Sequence, residues 1–414
     1  MAKFQKVPVT ILTGFLGSGK TTLLNHILTS MDHKKRFAVI ENEFGDVGID
    51  DALLKNNMRQ RVEGEELIEM MNGCICCTVR ADLSVVLKKL KGKHDARPLD
   101  GIIIETTGMA DPAPVAQTFF VDEAVGAFAR LDGIVTLVDA KHVEQHLDEE
   151  KPEGAENEAV EQVAFADRLV LNKTDLVPDE AALRRVEGRL RAINKFAPIV
   201  RCEQSRVAAD QVLNIGAFDL ARTLEMDPAF LDTDGEHEHD QSVTSLGFDT
   251  SEADVDLGLF QDWLQGLLRD EGPNLFRIKG ILSVADVPDR YVYHAVHMIF
   301  DGRFMDPWAP GERVSKLTFI GKHLDHRALK TGFLACLATP ENYKKKSEGL
   351  RFRVGARVEC NRGGGWAPGT VIRHLYREAD DLPGFLAPYQ VELDDGTLIY
   401  CPADAESCVR RASE

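Results

Sequence analysis

Val7-Pro8-Val9-Thr10-Ile11-Leu12-Thr13-Gly14-Phe15-Leu16-Gly17-Ser18-Gly19-Lys20-Thr21-Thr22-Leu23-Leu24-Asn25-His26-Ile27-Leu28 decides the fold of this chain. Val7 to Leu12 is an apolar run of strand length, and Thr22 to Leu28 has helical spacing. Between them, Gly14 to Thr21 fits G-x-x-x-x-G-K-[ST] in the strand, loop and helix context that gives the motif its meaning. Glycines there let backbone N–H groups turn inward around a β-phosphate at a helix N-terminus. Lys20 reaches the β- and γ-phosphates, and the Thr21 hydroxyl ligates Mg²⁺. Gly14, Gly17, Ser18, Gly19, Lys20, Thr21 and Thr22 are therefore the first candidate nucleotide-binding residues.

Outward from that loop, short apolar runs alternate with amphipathic stretches as far as about Arg222. Phe37 to Ile40, Gly101 to Ile104, Gly133 to Val138 and Arg168 to Leu171 read as further strands, which predicts a parallel α/β sheet with helices on both faces over residues 1–224. Residues 225–242 are acidic, polar and without period, the pattern of a linker. Beyond it, Ser245 to Phe248, Leu275 to Val284, Tyr291 to Phe300 and Lys316 to Ile320 read as strands. Helices are expected around Phe260 to Leu268 and over Leu324 to Leu337, giving a smaller α+β domain over 243–340. Lys344 to Gly349 reads as a second polar joint. Residues 350–411, with Gly363-Gly364-Gly365 and Asp394-Asp395-Gly396-Thr397 between short strands, predict a small SH3- or tudor-like β-barrel.

Two further segments belong with the phosphate loop. Ile102-Ile103-Ile104-Glu105-Thr106-Thr107-Gly108 is an apolar strand ending in an acid. Glu105 is placed to deliver a carboxylate to the Mg²⁺ shell, and Gly108 a backbone N–H to the γ-phosphate. Lys20, Thr21 and Glu105 are thus the candidate catalytic residues. Asn172-Lys173-Thr174-Asp175 follows the strand Leu169 to Leu171. In N-K-x-D the Asp175 carboxylate takes both N–H donors of guanine while Asn172 and Lys173 pack around the base, which selects GTP over ATP. Ser205 is a weaker candidate to back up the base. No glutamine is placed to orient the attacking water and no arginine finger can be named, so slow intrinsic turnover is expected.

Composition narrows the partners. The chain has 414 residues, 28% charged and 44% hydrophobic, as in ordinary globular proteins of two to three domains. Its formal net charge of -18 repels phosphate backbones and anionic lipid surfaces, so neither nucleic acid nor membrane is an expected partner. The first residues lack a secretion signal and no apolar run approaches the roughly 20 residues of a membrane span, which predicts a cytoplasmic protein.

In a reducing compartment, crowded cysteines point to metal or redox chemistry rather than to structural disulfides. Cys74, Cys76 and Cys77 in Gly73-Cys74-Ile75-Cys76-Cys77 are expected in a sharp loop before a helix starting near Arg80. Three thiolates select Zn²⁺ or Cu(I) over Mg²⁺. Without a fourth cysteine the site is either open and exchangeable or completed by a carboxylate, for which the segment Glu41 to Asp46 supplies candidates. That segment also occupies the first switch position, so γ-phosphate contacts would order the loops that carry metal ligands.

These motifs, with Ala110-Asp111-Pro112, Phe276-Arg277-Ile278-Lys279-Gly280, Trp308 and Phe319-Ile320-Gly321, closely resemble the CobW-type family of P-loop GTPases, also described as zinc-regulated GTPase metalloprotein activators. The resemblance covers about Lys6 to Pro340. It implies a slow GTPase in which the GTP or GDP state controls capture of a transition metal, usually Zn²⁺, and its delivery to a client metalloprotein. It also implies that Glu41, Asp46 and Cys76 match metal-binding positions, with Cys74 and Cys77 completing the motif. Three other readings stay open on the residues: a cobalt or cobalamin-related insertion factor, a nucleotide-switched scaffold without metal delivery, and a small-molecule phosphotransferase.

The remaining signals read as structural. His237 and His239 fall in the linker, and His294 and His297 read as satisfied histidines on opposite faces of one strand. Cys360, Cys401 and Cys408 read as isolated thiols. Trp366 and Tyr389 either pack the barrel or recognise a peptide partner, with packing preferred.

Overall fold

The structure is a computed structural model. It describes residues 6–29, 36–41, 66–69, 75–96, 98–108, 110–149, 151, 157–218, 243–309, 311–378 and 381–412. Asp46, Cys74 and the linker histidines His237 and His239 lie outside these residues.

The first seven strands are β1 (Val7–Gly14), β2 (Phe37–Glu41), β3 (Glu66–Glu69), β4 (Gly101–Glu105), β5 (Ala129–Asp139), β6 (Arg168–Asn172) and β7 (Ile199–Arg201). They form one sheet in the order β3-β2-β4-β1-β5-β6-β7, and every adjacent pair is parallel. β1 and β4 are buried almost throughout, as expected of strands covered on both faces. The chain winds away from β1 in opposite directions, so the carboxyl end of β1 is the topological switch point where such sheets bind ligands.

Its helices are α1 (Lys20–Thr29), α2 (Ile75–Ala96), α3 (Ala113–Val121), α4 (Glu123–Phe128), α5 (Val143–Leu147), α6 (Glu158–Phe165) and α7 (Glu180–Ile193). Side chains close several of them. Asp122 caps α4, Asn157 caps α6 and Asp179 caps α7, each accepting from backbone N–H groups of the first turn. Asn194 donates to the carbonyls of Val163, Ala164 and Ala166, which finishes the C-terminal end of α6. One expectation is corrected here. α2 begins at Ile75 rather than near Arg80, so Cys76 and Cys77 lie in its first turn and not in the preceding loop. No glycine or proline separates them from the helix, so nothing in the local sequence delays its start.

The second sheet is antiparallel, in the order β11-β10-β9-β12-β8, from β8 (Val243–Thr250), β9 (Leu275–Ser283), β10 (Asp289–Val296), β11 (Ile299–Pro307) and β12 (Ser315–Lys322). The run Tyr291 to Phe300, read above as one strand, is a hairpin that turns at His297, whose φ is 51°. α8 (Leu257–Glu271) and α9 (His326–Leu334) cover one face, burying Phe248, Phe260, Ile278, Leu282, Phe319 and Phe333. Ile281, Val292, Val296 and Ile320 instead join the hydrophobic core of the first sheet.

α10 (Pro340–Glu348) occupies the polar stretch expected to be a joint, capped by the Thr339 side chain with Pro340 as its first residue. A third sheet follows, antiparallel, in the order β16-β15-β14-β13-β17, from β13 (Arg357–Asn361), β14 (Trp366–Tyr376), β15 (Ala387–Leu393), β16 (Leu398–Cys401) and β17 (Val409–Arg411). Tyr389 is at its core with Val358, Val371, Val391 and Val409. Trp366 is half-buried beneath the Arg410 guanidinium, 4.0 Å from its ring centroid. Arg377 and the Tyr343 hydroxyl both reach the buried Asp256 carboxylate that caps α8, tying this sheet to the second one.

Candidate functional site

The loop between β1 and α1 is shaped by its glycines. Gly14, Gly17 and Gly19 have φ of 138°, 74° and 107°, backbone that L-residues rarely adopt. Space is as restrictive as conformation. A Cβ on Gly14 would lie 2.2 Å from the Leu137 carbonyl oxygen, and one on Gly19 would lie 2.4 Å from Ser205 Oγ. Lys20, at the start of α1, is buried and donates from Nζ to the Gly14 carbonyl at 2.7 Å, holding its ammonium within the loop. The Ser18 hydroxyl is fully buried with no hydrogen-bond partner among the described residues, and the same holds for Thr107 Oγ1 beyond β4. Buried hydroxyls of this kind are ordinarily paired, so both suit a polyanionic ligand in the loop.

At the carboxyl end of β4, Thr21 Oγ1 donates to Glu105 Oε1 at 3.1 Å. A hydroxyl and a carboxylate in contact form the hard oxygen pair that a Mg²⁺ shell requires, so these residues fit that ion. Thr106 Oγ1 donates to Thr13 Oγ1, and Thr106 N to the Leu12 carbonyl, which fixes the end of β4 against the end of β1. Gly108 then passes so close to the phosphate loop that a Cβ on it would sit 2.6 Å from Leu16 N.

The guanine-type motif lies on the other side of β1. Asn172, at the end of β6, donates to the Ser18 carbonyl at 2.8 Å and accepts the backbone N–H of Ser205 at 2.8 Å. The Ser205 hydroxyl donates to the Gly19 carbonyl, so Ser205 supports Asn172 and the phosphate loop together. Lys173 has φ of 61° and its Nζ lies 2.6 Å from Asp139 Oδ2. Burial alone would raise the Asp139 pKa, but the hydrogen bonds from Lys173 and His142 hold it below the usual carboxylate range. Asp175 is exposed in the short turn Thr174–Leu176.

Strand register places one candidate transition-metal residue, Glu41, beside this centre. Glu41 on β2 is the Cα partner of Glu105 on β4, and on its other side of Glu69 on β3. Cys76 and Cys77 are placed only by the helical backbone of α2. Among the described residues no group of three or more His, Cys, Asp or Glu is assembled as a metal site.

Several residues at the site escaped the sequence reading. Asp139 ends β5 as the register partner of Asn172, and its signal was an acid closing an apolar strand, the same signal that marks Glu105. Gln162, in α6, is 1% exposed and donates from Nε2 to the Gly108 and Ala110 carbonyls at 3.1 and 3.2 Å. Nothing in its local sequence separates it from an ordinary helix residue. Beyond α6, Asp167 is buried and accepts from Arg277 and from Lys279, the latter at 2.6 Å. Arg277 also donates to the Phe165 carbonyl, so the element that holds Gly108 also anchors β9 of the second sheet. His294, expected to be satisfied, is buried with neither ring nitrogen hydrogen-bonded among the described residues; burial, then the nearby Lys279 and Arg277 charges, push its pKa well below the usual imidazole range.

Fold and site together define a P-loop GTPase. Residues 8–201 match the nucleotide-binding domain model of the CobW/HypB/UreG family, and residues 244–337 match the cobalamin synthesis protein cobW C-terminal domain. The zinc chaperone YjiA of Escherichia coli is 33% identical over 331 residues, which is 79% of this chain and 98% of that relative. The zinc-regulated GTPase metalloprotein activator 1 of Schizosaccharomyces pombe is 35% identical over 330 residues, 71% of this chain and 76% of the relative. A crystal structure of Zn(II)-bound YjiA GTPase superposes with a TM-score of 0.61 at 27% identity, covering 80% of this chain and 99% of the other. The chain belongs to the CobW family of GTPases.

Proposed function

We propose that this GTPase is a metallochaperone that captures a transition metal, zinc foremost, and releases it to a client protein under control of GTP binding and hydrolysis. Its nucleotide-binding set is Gly14, Gly17, Ser18, Gly19, Lys20, Thr21, Thr22 and Gly108 for the phosphates, with Asn172, Lys173 and Asp175 for guanine. Thr21 and Glu105 would hold Mg²⁺, which when bound neutralises charge on the β- and γ-phosphates. The chain's own groups do the positioning. Lys20 places an ammonium at the loop, Gly108 offers its backbone N–H, and Gln162 holds the Gly108 to Ala110 segment in place.

The observation that carries the coupling is the register of β2 on β4. Glu41 lies beside Glu105, and adjacent strands are about 4.8 Å apart, so a change at the nucleotide end of β4 reaches the strand bearing the proposed transition-metal carboxylate. The proposed metal set is Cys74, Cys76, Cys77, Glu41 and Asp46. Two of its cysteines sit in the first turn of α2, where the helix dipole favours negative charge. The names of the relatives, zinc chaperone and zinc-regulated activator, support zinc as the cargo. Thiolate ligands need a reducing compartment, which supports assignment to the cytoplasm.

We further assign residues 1–224 to the GTPase unit, 225–242 to a linker, 243–340 to the second domain and 350–411 to an SH3- or tudor-like barrel, a module for which a peptide is the candidate partner. The return of the last strand, β17, onto the first, β13, supports the barrel reading. The test is GTP hydrolysis by metal-free protein with and without buffered Zn²⁺, beside Cys76→Ser. Zinc binding that alters turnover only when Cys76 is present supports the proposal; turnover indifferent to zinc with no metal held rules it out.

A further inference from the structure

The third sheet holds two thiols in contact. Cys360 lies on β13 and Cys401 ends β16, strands that are not neighbours in the sheet and residues 41 apart in sequence. Curvature of the sheet nevertheless brings their Sγ atoms to 3.4 Å, in a hydrogen bond between sulfurs, and both side chains are buried. An ordinary core cysteine packs against carbon and serves as a small apolar group. Here each sulfur faces the other sulfur.

The contact also polarises the pair. The hydrogen bond between the sulfurs draws the Cys360 thiol below its ordinary pKa range, while the same contact and burial hold Cys401 far above it. A metal clip fits less well. Tetrahedral zinc with Zn–S near 2.3 Å would hold its sulfurs roughly 3.8 Å apart and would need two more ligands. No third metal-binding side chain completes such a group among the described residues.

We propose that Cys360 and Cys401 are a reversible dithiol/disulfide pair, a covalent modification site that takes a low-molecular-weight disulfide of the glutathione class as its oxidant. A thiolate of the pair attacks the small disulfide, forming a mixed disulfide and releasing one small thiolate. The second protein sulfur then attacks the first, closing the Cys360–Cys401 bond and expelling the other small thiolate. Two protein thiols thus lose two electrons and two protons, and the oxidant's S–S bond is reduced to two thiols. Access comes at the edge of the sheet. Val409 of the three-residue edge strand β17 is the register partner of Cys360, and so short an edge opens more readily than the core. The bond would join β13 to β16 across the core and close the intervening chain into a loop, constraining the unfolded state. Cys408, half-exposed just before β17, is the competing thiol.

The test uses the full chain, incubated with oxidised or reduced glutathione, quenched by alkylation under denaturing conditions and mapped by peptide mass spectrometry. The expected result is one cross-linked pair of peptides carrying Cys360 and Cys401, lighter by two hydrogens and reversed by dithiothreitol. An upward shift in apparent Tm should accompany it and be absent in Cys360→Ala. Cys408→Ser, which leaves the buried pair intact, must still form the bond. Full alkylation of both cysteines after oxidation, a bond from either to Cys408, or a stable glutathione adduct would overturn the proposal.

Discussion

Replacing Asp167 by asparagine tests how the second sheet is held to the GTPase sheet. The Asp167 side chain is 1% exposed, and its Oδ1 meets both Arg277, 4% exposed, and Lys279, 8% exposed. Its Oδ2 accepts the Ile134 backbone N–H at 2.9 Å. One buried anion thus answers two buried cations, which also reach the Phe165 and Ala217 carbonyls and the face of the Phe218 ring. An amide in place of the carboxylate would keep the shape and one acceptor but strand both charges. Removing one partner of a buried ion pair costs about 3–5 kcal/mol, and two stranded cations put this case toward the upper end. The pH dependence has a definite sign. Burial, then repulsion by Arg277, lowers the Lys279 pKa to about 8, and loss of Asp167 lowers it further. Below its own lowered pKa the variant carries both buried charges; between that value and about 8 its Lys279 is neutral while the parent's is still charged, so the difference between them narrows as pH rises toward 8 and is constant above it. Urea denaturation at pH 7 and pH 9 measures this, with intrinsic fluorescence as readout. A loss of less than about 0.5 kcal/mol at pH 7, or one that grows toward pH 9, refutes the reasoning. The combined variant Asp167→Leu, Arg277→Met, Lys279→Met should recover most of the loss, since apolar packing replaces such triads well.

Gln162→Leu keeps the volume but leaves the buried Gly108 and Ala110 carbonyls without their donor, at about 1–3 kcal/mol each; the turnover number for GTP should fall roughly tenfold with KM within about twofold, by steady-state phosphate release. Gly19→Ala drives a methyl to 2.4 Å from Ser205 Oγ in backbone that disfavours it, so GTP affinity should drop at least about tenfold with the circular dichroism spectrum unchanged. His294 is held neutral in the folded state while the unfolded chain protonates near pH 6.5. Because the unfolded state binds the extra proton, stability falls as pH drops below that value, by about 2 kcal/mol between pH 6.5 and 5, and His294→Leu should flatten this slope in thermal melts.

What the sequence revealed was what is encoded locally. The phosphate loop, Glu105 and Asn172 each sit at the end of an apolar strand with their partners' motif spacing intact, so their meeting at one sheet edge was legible. Gln162 and Asp139 were not, because their partners are brought near only by the winding of the sheet. The Asp167, Arg277 and Lys279 cluster joins residues 110 and 112 positions apart, and nothing in either neighbourhood names the other. The turn at His297 carries no glycine, proline or asparagine, so the hairpin of β10 and β11 read as one strand. α10 was misread in the opposite sense. Thr339-Pro340-Glu341 has the cap, first-turn proline and acid of a helix start, but the polar Lys344-Lys345-Lys346 run that follows masked it. The thiol contact of Cys360 and Cys401 was hidden for the same reason as the charged cluster, since curvature of the sheet rather than spacing creates it.

The measurement closest to the central claim is the Zn²⁺ dissociation constant of the full chain, determined by chelator competition with a non-hydrolysable GTP analogue, with GDP and with no nucleotide. Coupling through β2 and β4 predicts affinities that differ between the GTP-analogue and GDP states by at least about fivefold, with the reciprocal change in nucleotide affinity when zinc is bound. Equal zinc affinities in all three states would contradict it, and would leave a GTPase whose metal loop and nucleotide site work independently.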